Sequence, residues 1–194
     1  EWKHAPESAS GAVSIRQKSG KSGMLKIYSS YDKGSFSLLQ EDLDQNKNID
    51  YNLHNSNFFV NTSYRNKLGQ KWTSTTSASF TSDKDDVAFE ETDFNKELSG
   101  FHLKEVISDE VSSKITLKGG AEWFNRTLKQ TFRTPADTFA YQYTNNAFAA
   151  FTEGEFYASK KFVVRAGARL EYSDYLNRTS LTPRLTAAWK MANT

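Results

Sequence analysis

An acidic stretch offers the clearest metal-ligand spacing in this sequence. In DLDQNKNID, the side chains of Asp42, Asp44 and Asn46 alternate along the chain, and oxygen ligands at such spacing suit Ca²⁺. An EF-hand loop also requires glycine at its sixth position and glutamate at its twelfth, where Lys47 and Leu53 stand. We therefore expect no resident metal or other cofactor. A solvated outer loop is favoured here, with Asp42, Asp44 and Asn46 kept as the calcium candidates.

Three arginines near the C-terminus form a second candidate site. Arg165, Arg169 and Arg184 lie on two neighbouring segments, and together they could contact an anionic small molecule. Enclosed charges need partners, however, and Glu122 and Glu171 are the acidic residues at hand. Internal ion pairing is therefore the favoured role, and binding of an anionic ligand is the alternative.

The remaining polar residues do not form a recognisable catalytic pattern. The chain contains no cysteine, which excludes thiolate metal sites and cysteine nucleophiles. His4, His54 and His102 are far apart, and no Gly-x-Ser-x-Gly elbow is present. Glu153 and Glu155 share a strand face, as paired carboxylates do in some glycosidases, but without matched surroundings. The sequence predicts a protein that is not an enzyme.

Composition narrows the class of protein further. Hydrophobic residues make up 37% of the 194 residues, whereas aromatic residues make up 14%. Disordered chains are poor in aromatics, so this balance fits a structure that is apolar on one side only. The net charge of +2 gives no reason to expect nucleic acid. No apolar run approaches the ~18 residues of a membrane-spanning helix.

Alternation with period two is the strongest pattern, and it predicts long β-strands. It is clearest in residues 114–124, 162–172 and 181–191, where one face carries no charged residue and the other carries Lys, Arg or Glu at eight of its 15 positions. Two environments, one of which excludes charge, explain this difference. Weaker alternation elsewhere brings the predicted total to about nine strands. Aromatic residues at both ends of several apolar faces resemble the girdles of membrane barrels.

The connections between these strands are predicted to alternate in length. Short polar turns are expected near 19–22, 68–70, 108–110 and 159–161, and longer stretches near 41–50, 82–93, 126–137 and 173–180. Short periplasmic turns and long external loops are typical of an antiparallel up-and-down barrel in the outer membrane. A soluble β-sandwich also alternates, but its strands usually have only ~5–6 residues.

The C-terminal third resembles a known family. The stretch FVVRAGARLEYSDYLNRTSLTPRLTAAWK resembles the barrel domain of TonB-dependent outer-membrane receptors, which often have a Gly-x-Arg-x-Glu-like strand end followed by a strand containing Pro-Arg. The matching residues here are Gly167, Arg169, Glu171, Tyr172, Pro183, Arg184, Leu185 and Trp189. The match covers about thirty residues, and the rest of the chain is similar only in its long alternating strands and polar loops.

The resemblance implies a nutrient receptor of the bacterial outer membrane. Such a receptor has a barrel of about 22 strands, a plug domain, and TonB as its energy source; its cargo is a siderophore, haem, cobalamin or oligosaccharide. We expect residues 1–194 to form one partial wall domain, with neither plug nor signal peptide, in contact with membrane lipid and lipopolysaccharide. The alternatives are a smaller outer-membrane barrel, acting as a pore or adhesin, and a soluble carbohydrate-binding β-sandwich.

Overall fold

The computed structural model describes residues 1–42 and 47–191, without the side chain of residue 42. These residues form one antiparallel sheet in which each strand pairs with the next in sequence. The strand count and the up-and-down order agree with the prediction. The strands are β1 (Trp2–Ser19), β2 (Gly23–Asp42), β3 (Lys47–Leu68), β4 (Trp72–Phe89), β5 (Thr92–Ser112), β6 (Ile115–Arg133), β7 (Thr138–Ser159), β8 (Phe162–Ser173) and β9 (Arg178–Trp189).

The sheet is a single layer with two free edges. Within the described residues, β1 pairs only with β2 and β9 only with β8, and contacts occur only between adjacent strands. A β-sandwich would cover the apolar face with a second sheet, but Leu185 on that face is 74% exposed. The sandwich interpretation is therefore wrong, and the open sheet has the form of a barrel sector. The described residues include no helix that could cross a membrane.

The pairing register places every strand's uncharged positions on one common face. Residues directly opposite each other on antiparallel strands share a face, so each row can be followed across the sheet. One uncharged row runs Ile15, Ile27, Thr62, Ala78, Leu103, Trp123, Phe148, Tyr172 and Thr179. The adjoining row on the other face runs Arg16, Lys26, Ser63, Ser77, Lys104, Glu122, Ala149, Glu171 and Ser180. The predicted two-faced wall is thus a property of the whole sheet.

Burial identifies the charged face as the concave one. Seven described residues are buried, and the register assigns six of them to the charged face: Thr73, Glu122, Ala147, Ala149, Glu155 and Ser173. The seventh, Gly23, is the first residue of β2. In a single layer, only side chains on the same face can cover one another, and they crowd together where that face curves inward. We call the charged face the lumen face and the uncharged one the outward face.

The turns at one rim are short because glycine permits their backbone conformation. Gly20 and Gly69 have φ values of +63° and +77°, in the left-handed region where only glycine lacks a steric penalty. They begin the turns between β1 and β2 and between β3 and β4. The sequence SGKSG therefore lies at the strand-to-strand turn between β1 and β2.

Several of the predicted connections are wrong in their extent. Residues 82–93 and 126–137 are mostly paired strand, residues 41–42 and 47–50 of the predicted connection 41–50 are also strand, and residues 108–110 belong to β5 instead of a turn. The outer parts of the strands are polar on both faces, so alternation disappears there although pairing continues. Cross-strand side-chain bonds help to hold these extensions, such as Asn55 and Asn57 with Asp85 and Asp83. Long external extensions, more than long loops, distinguish the two rims.

The rim formed by the long strand extensions, called the outer rim from here on, is lower at the C-terminal end of the sheet. β8 and β9 have 12 residues each, whereas β7 has 22. Ser173, the last residue of β8, pairs with Ala147, so residues 138–146 of β7 have no paired residue on β8. The four-residue turn after β8 lies against this exposed edge of β7.

Candidate functional site in the barrel lumen

A network of ion pairs crosses the lumen face from β5 to β8. Glu122 is at its centre, with a side chain only 6% exposed. Lys104 Nζ lies 2.6 Å from Glu122 Oε1, and Arg169 donates to Glu122 Oε2 at 2.7 Å. Arg169 also donates to Glu171 at 2.8 Å. Each charge therefore has a partner of opposite sign, and this pairing offsets the cost of removing the charges from water on the concave face.

A second network lies nearer the rim with the shorter turns. Glu155 accepts hydrogen bonds from Lys118 at 3.2 Å and from the Tyr157 hydroxyl at 3.1 Å, and it also pairs with Arg165. The Arg165 Nε atom lies 3.3 Å from Glu153. The two glutamates of the strand pair considered above thus neutralise cations and are not free carboxylates.

Between these networks the lumen face has a pocket of about 320 Å³. Its lining has four cationic side chains and two carboxylates, so positive charge is in excess, and Phe151 supplies an aromatic surface; the charged residues are Lys104, Lys118, Arg169, Arg184, Glu122 and Glu153. Lys104 Nζ lies 5.0 Å from the centre of the Phe151 ring, within the range of a cation–π contact. The pocket is suited to a small anion or to a ligand with an anionic group.

Glycine is required under this pocket. A Cβ atom on Gly120 would lie 2.6 Å from the Phe151 ring and 2.3 Å from the Glu105 carbonyl oxygen. A Cβ atom on Gly167 would lie 2.6 Å from the Thr152 carbonyl oxygen. Both glycines therefore let the ring and the neighbouring backbone approach closely.

The three predicted arginines share the lumen face but have different surroundings. Arg169 pairs with Glu122 and Glu171, as predicted. Arg165 pairs with Glu153 and Glu155 instead and lines a smaller neighbouring pocket. Arg184 has no ion-pair or hydrogen-bond partner in the described ranges, so its charge is the one available to a ligand. The binding role of all three stays a prediction.

The calcium candidates lie at positions that the structure does not describe in full. Asp44 and Asn46, and the side chain of Asp42, lie outside the described residues. Among the residues that the structure describes, no three acidic or histidine side chains converge as a metal site would require.

Sequence reasoning missed an aromatic cluster at the outer rim of the lumen face. The ring centres of Tyr143 and Tyr175 are 4.8 Å apart, and the hydroxyls of Tyr141 and Tyr175 are 2.9 Å apart. Phe132 and Phe139 are cross-strand neighbours just above them. Phe139 is 59% exposed and Tyr141 is 50% exposed. The alternating aromatic residues of FAYQY could have indicated an aromatic face on this strand, but only the pairing register shows that rings from neighbouring strands join them.

The turn between β8 and β9 carries Tyr175 and is fastened to the edge of β7. The Asp174 carboxylate accepts hydrogen bonds from the Asn146 backbone N–H at 2.6 Å and from its side-chain amide at 2.8 Å. Asn177 ends the turn with φ at +46°, a conformation that asparagine tolerates better than most residues. These bonds hold Tyr175 against Tyr143.

Acid should release this turn. The hydrogen bonds from Asn146 hold the pKa of Asp174 below its ordinary value. A carboxyl with a lowered pKa contributes stability that is complete above its unfolded-state pKa and is lost as the pH falls through its folded-state pKa. We expect the protection of the Asn146 amide from hydrogen exchange, relative to an unstructured amide at the same pH, to fall only below about pH 4, near the unfolded-state pKa. An Asp174→Asn variant should lose this protection already at neutral pH, and unchanged protection in that variant would contradict the assignment.

Comparisons with known proteins place this wall among outer-membrane barrels. It superposes on a mutant of the ferric enterobactin receptor PfeA from Pseudomonas aeruginosa with a TM-score of 0.66, at 10% identity, over 96% of this chain and 31% of that one. It superposes on the alcaligin outer-membrane receptor FauA from Bordetella pertussis with a TM-score of 0.66, at 11% identity, over 97% and 33%. The chain spans about a third of the length of these receptors.

A smaller barrel also matches. The translocator domain of the autotransporter NalP from Neisseria meningitidis aligns with a TM-score of 0.51, at 14% identity, over 99% of this chain and 73% of that one. No family model and no curated protein matches the sequence. At these identities the likeness shows the fold, which is that of a bacterial outer-membrane β-barrel wall. The predicted resemblance to TonB-dependent receptors is confirmed at this level, and the predicted outer-membrane location agrees with it.

Proposed function

We propose that this chain forms a sector of the wall of an outer-membrane receptor that takes up a scarce small-molecule nutrient. The observation that supports this proposal most directly is the single-layered sheet with two different faces. Its outward face is uncharged, and its lumen face has ion pairs and a cationic pocket. In this proposal the full-length protein also has a plug domain inside the barrel, and TonB supplies the energy. PfeA and FauA are receptors for the siderophores enterobactin and alcaligin, which makes a siderophore the first cargo class to test.

The lumen face supports a role in guiding cargo. The exposed aromatic rings at the outer rim offer a stacking surface at the entrance. Deeper in the lumen, Arg184 offers a cation that has no partner among the described residues, in the pocket that Arg169 and Lys104 also line. A ligand with a flat or ring-shaped body and an anionic group would use both sites in turn.

Outward lysines at the outer rim support contact with lipopolysaccharide. Lys33, Lys84 and Lys129 lie in one cross-strand row, together with Ser56 and Glu97. This row is two residues above that of Tyr31 and Phe58, at the outer end of the uncharged band. Phosphate groups of the outer leaflet would meet this row, because the lysines are exposed there.

A transport assay with the full-length protein tests this function. Cells expressing it should accumulate at least one labelled compound from a panel of ferric siderophores, haem, cobalamin and oligosaccharides, and only when TonB is present. An Arg184→Ala variant should bind the transported compound about tenfold more weakly, because one charge-assisted bond contributes ~1.5 kcal/mol or more. Arg178→Ala, a change on the same strand outside the pocket, should leave affinity unchanged.

The same assay separates this function from that of a smaller passive barrel. The match to the NalP translocator domain is the observation that favours the rival, whereas the unpaired edges of β1 and β9 weigh against closure by these strands alone. Uptake that continues without TonB, or a steady ion conductance in planar bilayers, would indicate a pore and overturn the proposal.

A further inference from the structure

In the described residues, two carboxylates interrupt the uncharged band of the outward face between the outer extensions and the short turns, and both are on β5. Glu105 and Asp109 are four residues apart, and the register assigns both to the outward face. Ionisable side chains that face hydrocarbon are rare because desolvation of the charge is unfavourable, and they commonly mark a functional site. Each therefore needs a partner.

Glu105 has its partners within the sheet. The Ser74 hydroxyl donates to Glu105 Oε1 at 2.6 Å, and the Thr76 hydroxyl donates to Oε2 at 2.5 Å. Both donors are on β4 and face outward, so both carboxylate oxygens are satisfied. Glu105 does not require an external ligand.

Asp109 differs because its carboxylate is incompletely satisfied. Its Oδ1 atom is buried and has no hydrogen-bond partner within the described parts of the chain. The residue lies between Trp72 and Leu117 in the cross-strand row. This row is at the end of the uncharged band nearest the short turns, where a tryptophan ring typically lies at the level of the lipid headgroups. A donor for Asp109 is therefore to be sought among the headgroups of the adjacent leaflet.

A groove runs along the outward face from Asp109 towards Glu105. Its volume is about 500 Å³, and Trp72, Ile107 and Leu117 line it beside the two carboxylates. Gly119 and Ala121 form its floor. A Cβ atom added to Gly119 would meet nothing closer than the Phe151 carbonyl oxygen at 3.7 Å, so the space above it is open. An apolar channel that ends at a carboxylate matches a molecule with a hydrocarbon tail and a cationic head.

We propose that this groove binds a phospholipid with a primary ammonium headgroup from the leaflet on the short-turn side. The ammonium group donates to Asp109, and one acyl chain lies over Gly119 and Ala121. A second copy of this chain would bring the same two carboxylates face to face, so charge opposes that occupant. The site is on the opposite face from the lumen pocket, and the inference stands apart from the proposed uptake function.

Lipid selectivity tests the site directly. The full-length protein is reconstituted in phosphatidylcholine vesicles with trace spin-labelled phosphatidylethanolamine, phosphatidylglycerol or phosphatidylcholine, and the immobilised fraction of each label is measured. We expect about threefold to fivefold preference for phosphatidylethanolamine over phosphatidylcholine, the range for an ion pair near the surface. Phosphatidylglycerol, an anion without an ammonium group, should bind no better than phosphatidylcholine. Equal immobilisation of all three overturns the proposal.

Three variants assign the preference to this groove. Asp109→Asn removes the charge with little change in shape, and Gly119→Leu fills the channel without touching the carboxylate; each should abolish the preference. Asp93→Asn is the matched control, because Asp93 faces outward on the same strand at the opposite rim. Preference that persists in the first two variants, or is lost in the control, contradicts the assignment.

A cross-linking arm distinguishes lipid from a protein occupant. The chain has no cysteine, so Gly119→Cys can carry a single photoreactive group at the floor of the groove. Illumination in native outer membranes should yield adducts with the mass of an aminophospholipid. A protein adduct as the main product would mean that a partner chain occupies the groove and would overturn the lipid proposal.

Discussion

Replacing Leu185 with arginine should destabilise the folded protein in a bilayer by about 2–4 kcal/mol, the range for a cation on the lipid face near the membrane midplane. Leu185 is 74% exposed and lies midway along the uncharged face of β9, between Leu181 and Trp189. The guanidinium would replace an apolar side chain that lies in hydrocarbon. Urea-dependent refolding of the full-length protein into lipid vesicles measures the change.

The next residue supplies the control for this prediction. Thr186 is also exposed, but it is on the lumen face of the same strand. Thr186→Arg should change the unfolding free energy by less than about 1 kcal/mol, since a surface charge in water contributes little. Equal effects of the two substitutions would mean that water, and not lipid, contacts the uncharged face.

Replacing Glu122 with alanine should destabilise the barrel wall by about 2 kcal/mol. The loss leaves Lys104 and Arg169 without their shared carboxylate on the lumen face. Breaking a fully buried pair costs ~3–5 kcal/mol. The expected effect is smaller here, because side chains that are 36% and 29% exposed recover part of their hydration.

Glu171 provides the comparison for this second effect. It also pairs with Arg169, but its side chain is 40% exposed. Glu171→Ala should therefore change stability by less than about 1 kcal/mol, in the same vesicle refolding measurement. If Glu122→Ala lowered the unfolding free energy no more than Glu171→Ala, the ion pairs of Glu122 would not stabilise the wall.

The sequence was most informative where each strand has two different environments. The predicted segments 162–172 and 181–191 nearly coincide with β8 and β9. In β3 and β4, by contrast, alternation was readable only near 58–64 and 72–80, in the halves nearest the short turns of strands of 22 and 18 residues. Their outer parts meet water on both faces, so the sequence there has no reason to alternate although the backbone remains paired.

The details of the site depend on register, which a single sequence does not specify. The pairing of Arg169 with Glu122 and Glu171 was predictable from charge and proximity along two strands. The pairing of Arg165 with Glu155 was not, because it requires the alignment of β7 with β8. Asp109 was misjudged for a different reason. Acidic residues near Ser108 were interpreted as a turn, so an outward carboxylate within a strand was not anticipated.

The short β8–β9 hairpin gives the barrel mouth a low side. Next to the unpaired residues 138–146 of β7, the wall is shorter by roughly 30 Å measured along the strand, at ~3.3 Å per residue. In the proposed receptor, a bulky molecule at the cell surface would meet a lower part of the wall at this point, with the exposed tyrosines on its lumen side. If cargo entered from this side, the longer strands would not have to rearrange.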